Sequence, residues 1–521
     1  MEHDLSSSRT VVHNAVYNVF GFGASALYVL LLVPLIVSYL GLDQFGIWSL
    51  MIALTGYLSM ADLGLGTSFV KYVAEYASLQ DYGRVNGVVY LGLVFYGVVS
   101  AGMLALGYAG FPLLFHLLQI PSEQFDLART TFLLSLAGFG FASLSAVFGS
   151  VLMGMQRTDV YNLVQTVMFA LKLAIAAWML GQGYGLTGLM IGDTLVTMVM
   201  MAVMAVAARR TFRPLSLRSR VHDPGMFKML LGFGAKIQIT RLADMVQTQF
   251  DKLLITRFVG LPFVSLYDFG SRPLTRVRLL PLTALASMLP AVSALDAEDN
   301  AVRIRAATLR STRYLFVATL PLFAFVACFA NELMTVWLGT GYDRSALTLQ
   351  ILAVPFFLNV AAAPLAYVSQ GKGEPQFQMY ANLAQIILNV LLSTILVLRF
   401  GYFGAVAGTT IAITLGNFVF VGWYGRRIFD EPVRVLWGVF RKPLACVIVS
   451  SLTGLALVYV AESQLGVQTR PGLALLVAVA GVVFLSVYGF LIFKAKVFSS
   501  DDRGFLLGVI PGRLKHLVRT E

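Results

Sequence analysis

The chain has 521 residues, of which 58% are hydrophobic and only 12% charged. Soluble domains carry about 25% charged residues, so a soluble fold is excluded and an all-α polytopic membrane protein is expected. The formal net charge of +12 would suggest nucleic acid in a soluble protein; here it is assigned to cytoplasmic loops, and no nucleic-acid partner is expected.

Near the N-terminus, Glu2 and Asp4 spoil a basic leader, and the apolar run continues to about Leu40. It reads as a first span rather than a cleaved signal, with Ala24-Ser25-Ala26 as small residues for helix packing. Apolar segments then fall at about 14–40, 44–76, 84–115, 124–155, 160–180, 184–208, 226–257, 262–294, 306–338, 343–370, 376–398, 402–427, 438–461 and 472–494. Roughly 20 apolar residues suffice to cross a bilayer, so these are about fourteen spans. Several exceed that length and are expected to tilt or to project into the cytoplasm.

Loop charge sets the orientation. With the N-terminus inside, the cytoplasm receives Arg9, Lys71, Arg84, Arg157, the basic run from Arg209 to Lys228, Arg303 to Arg313, Lys372, Arg426 to Lys442 and the bases after Lys494. The outer loops keep only Arg129, Arg257, Arg344, Arg399 and Arg470. This is the positive-inside pattern, with both termini inside.

The two halves resemble each other at an offset near 219. LIVSYLGLDQFGIW (35–48) aligns with LITRFVGLPFVSLY (254–267), placing Gly41 on Gly260. GMQRTDVYNLVQ (154–165) matches GKGEPQFQMYANLAQ (371–385), and GYGLTG (183–188) matches GYFGAVAG (401–408). The expected organisation is a six-helix lobe at 1–208, a basic cytoplasmic linker at 209–225, a second lobe at 226–430, two extra helices at 431–500 and a cytoplasmic tail at 501–521. Both lobes start inside, as a parallel repeat about an axis along the membrane normal.

The stretch from Lys236 to Arg278 is the most heavily charged of the apolar part. A charge at the bilayer centre costs about 2.5–3.5 kcal/mol on insertion scales. These side chains must therefore face protein or a water-filled cavity. Lys236, Thr240, Asp244, Gln247 and Asp251 recur along one helix side, and Ser265, Asp268, Arg272 and Arg276 along another. Asp268 and Arg272 are four apart and can pair within one helix. Lys236, Lys252 and Arg278 also fit a role as helix-end residues snorkelling to headgroups. Under the offset, Asp268 falls on Ser49 and Arg272 on Ala53, so the first copy builds the same scaffold without these charges.

The first half has its own intramembrane ions. Lys172 and Asp193 lie on neighbouring spans and read as a structural pair. Asp62 opens DLGLG, where Gly64 and Gly66 loosen the helix or let another backbone approach. Cys328 and Cys446 lie in apolar runs and read as packing residues, and the five histidines form no cluster. No metal, cofactor or catalytic residue is expected.

Pro34 before LGLDQFGIW, then ADLGLGTSFVKYVAEYA, then MGMQRTDVYN after the fourth span resemble the polysaccharide-transport branch of the multidrug/oligosaccharidyl-lipid/polysaccharide exporter superfamily. The resemblance implies a flippase of O-antigen or exopolysaccharide repeat units. Its cargo would be an undecaprenyl-pyrophosphate-linked oligosaccharide, crossing the bacterial inner membrane by alternating access. Arginine forks suit a pyrophosphate. The cavity candidates are Arg241, Arg272, Arg276, Lys236, Asp244, Asp268, Gln247 and Tyr267, with Gln238 and Gln249 as further sugar contacts. Asp62 and Asp251 are candidates for coupling to H+ or Na+, and the polysaccharide polymerase is a candidate partner. A multidrug exporter of the same superfamily would show carboxylates; here, leaving out Arg257 at the turn, the six bases Lys236, Arg241, Lys252, Arg272, Arg276 and Arg278 against the three acids Asp244, Asp251 and Asp268 give a net +3. A peptidoglycan-precursor flippase shares the cationic cavity. A membrane glycosyltransferase or polymerase would need acid/base carboxylates and a large outer loop, and every outer loop is short.

A cysteine introduced by R218C is expected to react with a membrane-impermeant thiol reagent only from the cytoplasmic side. Labelling of intact cells from outside would overturn the orientation.

Overall fold

The structure, a computed structural model, describes residues 8–216, 224–286, 288–466 and 469–498. Among these residues every regular element is helical. In chain order the helices are α1 (Ser8–Leu58), α2 (Leu65–Ser78), α3 (Tyr82–Leu118), α4 (Phe125–Gly154), α5 (Thr158–Gly181), α6 (Gly185–Thr211), α7 (Pro224–Phe258) and α8 (Leu261–Leu285). There follow α9 (Met288–Ala297), α10 (Ala301–Cys328), α11 (Ala330–Leu338), α12 (Asp343–Gly371), α13 (Gln376–Phe400), α14 (Tyr402–Tyr424), α15 (Pro432–Leu465) and α16 (Arg470–Lys494). Twelve helical stretches among the described residues are long and apolar enough to span a membrane. Their outer faces carry bare aliphatic side chains such as Leu106, Val98, Leu398 and Leu475, each about two-thirds exposed. So large an apolar surface is stable only against lipid.

The chain forms two compact units, Met1–Ser265 and Leu266–Glu521. In the first, α4 packs on α2, α3 and α6, and α5 lies along α1 and α6. Lipid gives helices no hydrophobic drive to associate, so close approach at small residues does the work. A Cβ at Gly107 on α3 would stand 2.4 Å from Leu136 on α4, and one at Gly192 on α6 would stand 2.7 Å from Ile175 on α5. The core of this unit runs through Phe69, Val85, Val147 and Val151 and takes in Met226 and Leu230 of α7. In the second unit, α13 pairs with α14, α12 with α10 and α14, and α15 with α16.

Expected spans 44–76, 262–294 and 306–338 are each broken, which corrects the reading of them as overlong continuous helices. After Leu58 the backbone tightens into a 3-10 turn, Ser59–Asp62. Leu63 (φ 52°) and Gly64 (φ 73°) then both adopt left-handed conformations, which no α-helix continues. Between α8 and α9, Pro290 would place its ring against the carbonyl of Ala286 in an unbroken helix. The third break falls at Phe329.

Positions that the offset near 219 pairs share local features. Gly41, inside α1, has φ 74° and ψ −174° and divides that helix in two; its counterpart Gly260 has φ 124°. A Cβ on Gly154 would stand 2.6 Å from Val73, and one on Gly371 would stand 2.7 Å from Val292. Both glycines and both valines match under the offset near 219.

Gly64→Ala is expected to lower the melting temperature of the purified protein. The left-handed backbone alone costs about 1–2 kcal/mol for a non-glycine residue, and the crowded site adds an overpacking cost of roughly 1–3 kcal/mol. Gly23→Ala, in open space, is the control and should melt with the parent.

Candidate functional site

The unwound segment between α1 and α2 is held from two sides. Tyr96 on α3 donates its hydroxyl proton to the Asp62 carboxylate. On the other side the backbones of Gly64 and Gly234 meet: a Cβ at Gly64 would lie 2.2 Å from the Gly234 carbonyl oxygen. Only glycine permits this, and α7 is the approaching backbone that the glycines after Asp62 imply. Ser68 Oγ donates to the Leu230 carbonyl at 2.9 Å. Gln238 Nε2 donates to the carbonyl of Met60 at 3.0 Å, as a second donor beside the Leu63 N–H at 3.1 Å.

Farther along α7, Asp251 is fully buried and Lys252 is 5% exposed. Lys252 Nζ donates to Ser49 Oγ, itself fully buried, at 3.1 Å. Snorkelling is excluded for this lysine. Ser265 Oγ donates to the Leu42 carbonyl at 2.6 Å, so the start of α8 is tied to the second arm of α1. The side chains of Lys236, Thr240, Arg241, Asp244 and Gln247 lie outside the described residues.

In the second unit α8 carries the cationic face. Asp268 and Arg272 form the expected i,i+4 ion pair, their side chains 5% and 20% exposed. Arg276 follows one turn later, half-buried. Arg278 is buried, not snorkelling: it donates to Asn359 Oδ1 on α12 at 3.2 Å, with its guanidinium 5.7 Å from the centre of the Phe356 ring. Tyr267 is 2% exposed and packs as a core residue. Gly270 lets α8 cross α12 closely, since a Cβ there would stand 2.7 Å from the Ser345 carbonyl.

The first unit also holds the Lys172–Asp193 pair, at 2.8 Å. In the MGMQRTDVYN segment Arg157 grips Asp159 through Nε and Nη2, at 3.0 and 3.1 Å. That fork holds the Arg157 guanidinium above its ordinary pKa. Sequence reasoning missed a neutral cluster on α13 and α14, where Asn389 Nδ2 donates to Thr409 Oγ1 at 2.8 Å beside buried Ser393. The available signal was Asn389 and Ser393 four apart in an apolar run, one face of a helix. It also missed Tyr96 and Asn359 as partners. No three metal-ligating side chains come together among the described residues.

Broken helices, small-residue packing and charges held inside apolar spans make this a multi-pass membrane fold. It is similar to an inward-facing multidrug resistance MATE family transporter, with a TM-score of 0.67 and 18% identity over 77% of this chain and 94% of that one. It is also similar to the lipid II flippase MurJ in an inward closed conformation, with a TM-score of 0.66 and 13% identity over 93% and 99%.

The chain belongs to the polysaccharide biosynthesis protein family, which matches residues 39–347. It thus falls in the polysaccharide-transport branch of the exporter superfamily, among transporters and not catalytic enzymes. Among curated relatives, the "Putative O-antigen transporter" of Shigella flexneri is 20% identical over 80% of this chain and 98% of its own. The "Probable low-salt glycan biosynthesis flippase" of Haloferax volcanii is 21% identical over 79% and 82%.

Asp268→Ala strands the Arg272 guanidinium in a largely buried site. It is expected to cost about 3–5 kcal/mol, read as a lower melting temperature, while Asp268→Leu with Arg272→Met should recover most of the loss. Equal destabilisation in the single and the double variant would show that the pair does not act as a unit.

Proposed function

We propose that this protein is a flippase for undecaprenyl-pyrophosphate-linked oligosaccharide repeat units. It moves them from the cytoplasmic to the periplasmic leaflet of a bacterial inner membrane by alternating access. The observation that carries the reading is the α8 face. Arg272 and Arg276 stand four apart, where like charges repel, and Asp268 is the acid that pairs with Arg272. An anion that both arginines fork relieves the repulsion, and a pyrophosphate matches that geometry.

Fourteen spans fit this reading. Dividing the Phe20–Asp62 stretch at Gly41 turns the twelve candidates into thirteen, and α7 makes the fourteenth. Its 35 residues extend about 52 Å, ample for a crossing, and its charges account for its low hydropathy. The lobes are taken as 1–208 and 226–430, joined by 209–225 and followed by helices at 431–500 and the tail 501–521. Both termini lie in the cytoplasm. By descent α7 begins the second lobe, although it now packs on α1, α2 and α3.

The phosphate contacts are Arg272 and Arg276, with Arg241 and Lys236 on α7. Asp244 and Asp268 tune that charge, and Gln247 contacts sugar. Tyr267 reaches cargo only in a conformation that uncovers it. Asp62, at a helix break with Tyr96 on its carboxylate, and buried Asp251 are the coupling candidates for H+ or Na+. The polysaccharide polymerase would receive the product. The likeness to a lipid II flippase over 93% of the chain favours a peptidoglycan precursor as the second reading, and the family match favours the first.

In a flippase-null strain making a defined repeat unit, the parent should restore surface polysaccharide. Arg276→Ala, Arg241→Ala and Arg272→Lys, which keeps a cation beside Asp268 but loses the fork, should each lower it at least about tenfold, as expected for a lost charge-assisted bond, with membrane levels of the protein unchanged. Normal polysaccharide in all three would sink the phosphate assignment. Rescue of a strain lacking only its lipid II flippase would select the second reading.

A further inference from the structure

We infer that the first unit contacts the sugar part of the cargo, through a polar stripe on α5 completed by Asp193 of α6, an assignment that rests on the flippase reading. Helical spacing sets the stripe. Tyr161, Gln165, Phe169 and Lys172 stand at i, i+4, i+8 and i+11 of α5, on one side of the helix. Leu163, Val167, Leu171 and Trp178 form its exposed apolar side, which meets lipid. The two sides lie about 150° apart around the helix. The stripe therefore points into the unit, where α5 packs on α1 and α6 and a Cβ at Gly149 of α4 would stand 2.8 Å from the Tyr161 ring. All four side chains nevertheless keep partial exposure. On α6, Leu189, Met190, Val196 and Thr197 around Asp193 are buried, while the Asp193 side chain is 34% exposed. A carboxylate placed so deep in a span borders water, not acyl chains, so α5 and α6 line a hollow inside the unit. The second copy closes the same place. Gln165 pairs with Gln385, which is buried against Gly416 of α14, and Leu392 stands where Lys172 would. The scaffold packs shut without the stripe, so the fold does not require the opening.

The groups left over define the ligand. Gln165 Nε2 donates to Tyr161 Oη at 3.2 Å, which leaves the Gln165 carbonyl as an acceptor and the tyrosine proton as a donor. Lys172 Nζ meets one oxygen of Asp193 at 2.8 Å, which leaves the other ammonium protons and the second carboxylate oxygen. Donors and acceptors are thus mixed along the stripe. An anion calls for donors alone and a metal ion for acceptors alone. A sugar hydroxyl, which gives and takes at one atom, uses both. Phe169, stacked on Tyr28 of α1 with ring centres 5.2 Å apart, adds an apolar surface for the C–H face of a sugar ring. From Tyr161 to Lys172 the stripe runs about 16 Å, the scale of an oligosaccharide and not of a single ring.

The test uses the flippase-null strain that makes a defined repeat unit. Gln165→Leu should lower surface polysaccharide about tenfold at the parent's membrane level and melting temperature. Lys172→Met with Asp193→Leu, which removes the ion pair without stranding either charge, should do the same. Tyr161→Phe, which removes one proton and keeps the ring, is read in place of either variant that melts early. Leu171→Met, on the lipid side, should match the parent. Binding is measured separately, by saturation-transfer NMR on the purified full chain in nanodiscs, with the free oligosaccharide of that repeat unit released from pyrophosphate and lipid. The parent and Arg276→Ala should transfer saturation to the sugar protons alike, and the stripe variants should lose most of it. A parent that leaves the strain bare ends the flippase reading and this assignment together. Where the parent restores polysaccharide, full activity in the stripe variants, no transfer from the parent to the free sugar, or equal transfer from parent and stripe variants overturns the assignment alone.

Discussion

A charge held among acyl chains finds no hydrogen bond outside the protein, and every ionic side chain inside these spans has to be answered from within. The structure answers them in two ways. Lys172 and Arg272 meet carboxylates, at Asp193 and Asp268. Lys252 and Arg278 meet neutral oxygens, at Ser49 and Asn359. The difference matters for chemistry. A carboxylate cancels the cation's charge, whereas a hydroxyl or amide satisfies one proton and leaves the field in place. Each of these two partners comes from another helix, Ser49 from α1 and Asn359 from α12, so the bonds that hold the cations also tie helices together.

Scaffold and charge behave differently at the positions that the offset near 219 pairs. The contacts of Gly154 with Val73 and of Gly371 with Val292 show the same helix crossing made twice, at the level of one missing side chain. The ions do not recur. Position 268 holds an acid, and its counterpart under the offset, Ser49, holds a hydroxyl that accepts from Lys252. A backbone fixed by glycine tolerates such divergence, because helix approach rests on the absent Cβ and not on the polar groups.

This division also explains what was legible in the sequence. Spans follow from apolar length, and Asp268 with Arg272 follows from spacing within one helix. Lys172 with Asp193 follows from adjacency of spans, and a backbone approach at Gly64 follows from glycine itself. Tyr96 as the partner of Asp62, and Asn359 as the partner of Arg278, join residues 34 and 81 apart, and no local period marks them. The break between α8 and α9 went unread because proline is common in membrane helices, and Pro290 differs from Pro273 or Pro281 only by falling at a helix start. Asn389, Ser393 and Thr409 carry no charge, so their hydropathy cost was too small to stand out.

The seating of α7 follows from the same physics. Its partners run in antiparallel order along α1 and α2: Lys252 with Ser49, Gln238 with Met60, Gly234 with Gly64 and Leu230 with Ser68. Almost all are contacts of backbone or of small polar groups. In water such a seam would be weak beside a hydrophobic one; in lipid the hydrophobic term is nearly absent, and packing with a few hydrogen bonds decides association. Hydrogen bonds between membrane helices contribute only about 0.6 kcal/mol each on average. Beside the apolar packing of Met226 and Leu230, a handful of such bonds adds only a few kcal/mol to this seam. Under the proposed flippase reading, contacts of this strength suit a helix that exchanges partners during a transport cycle.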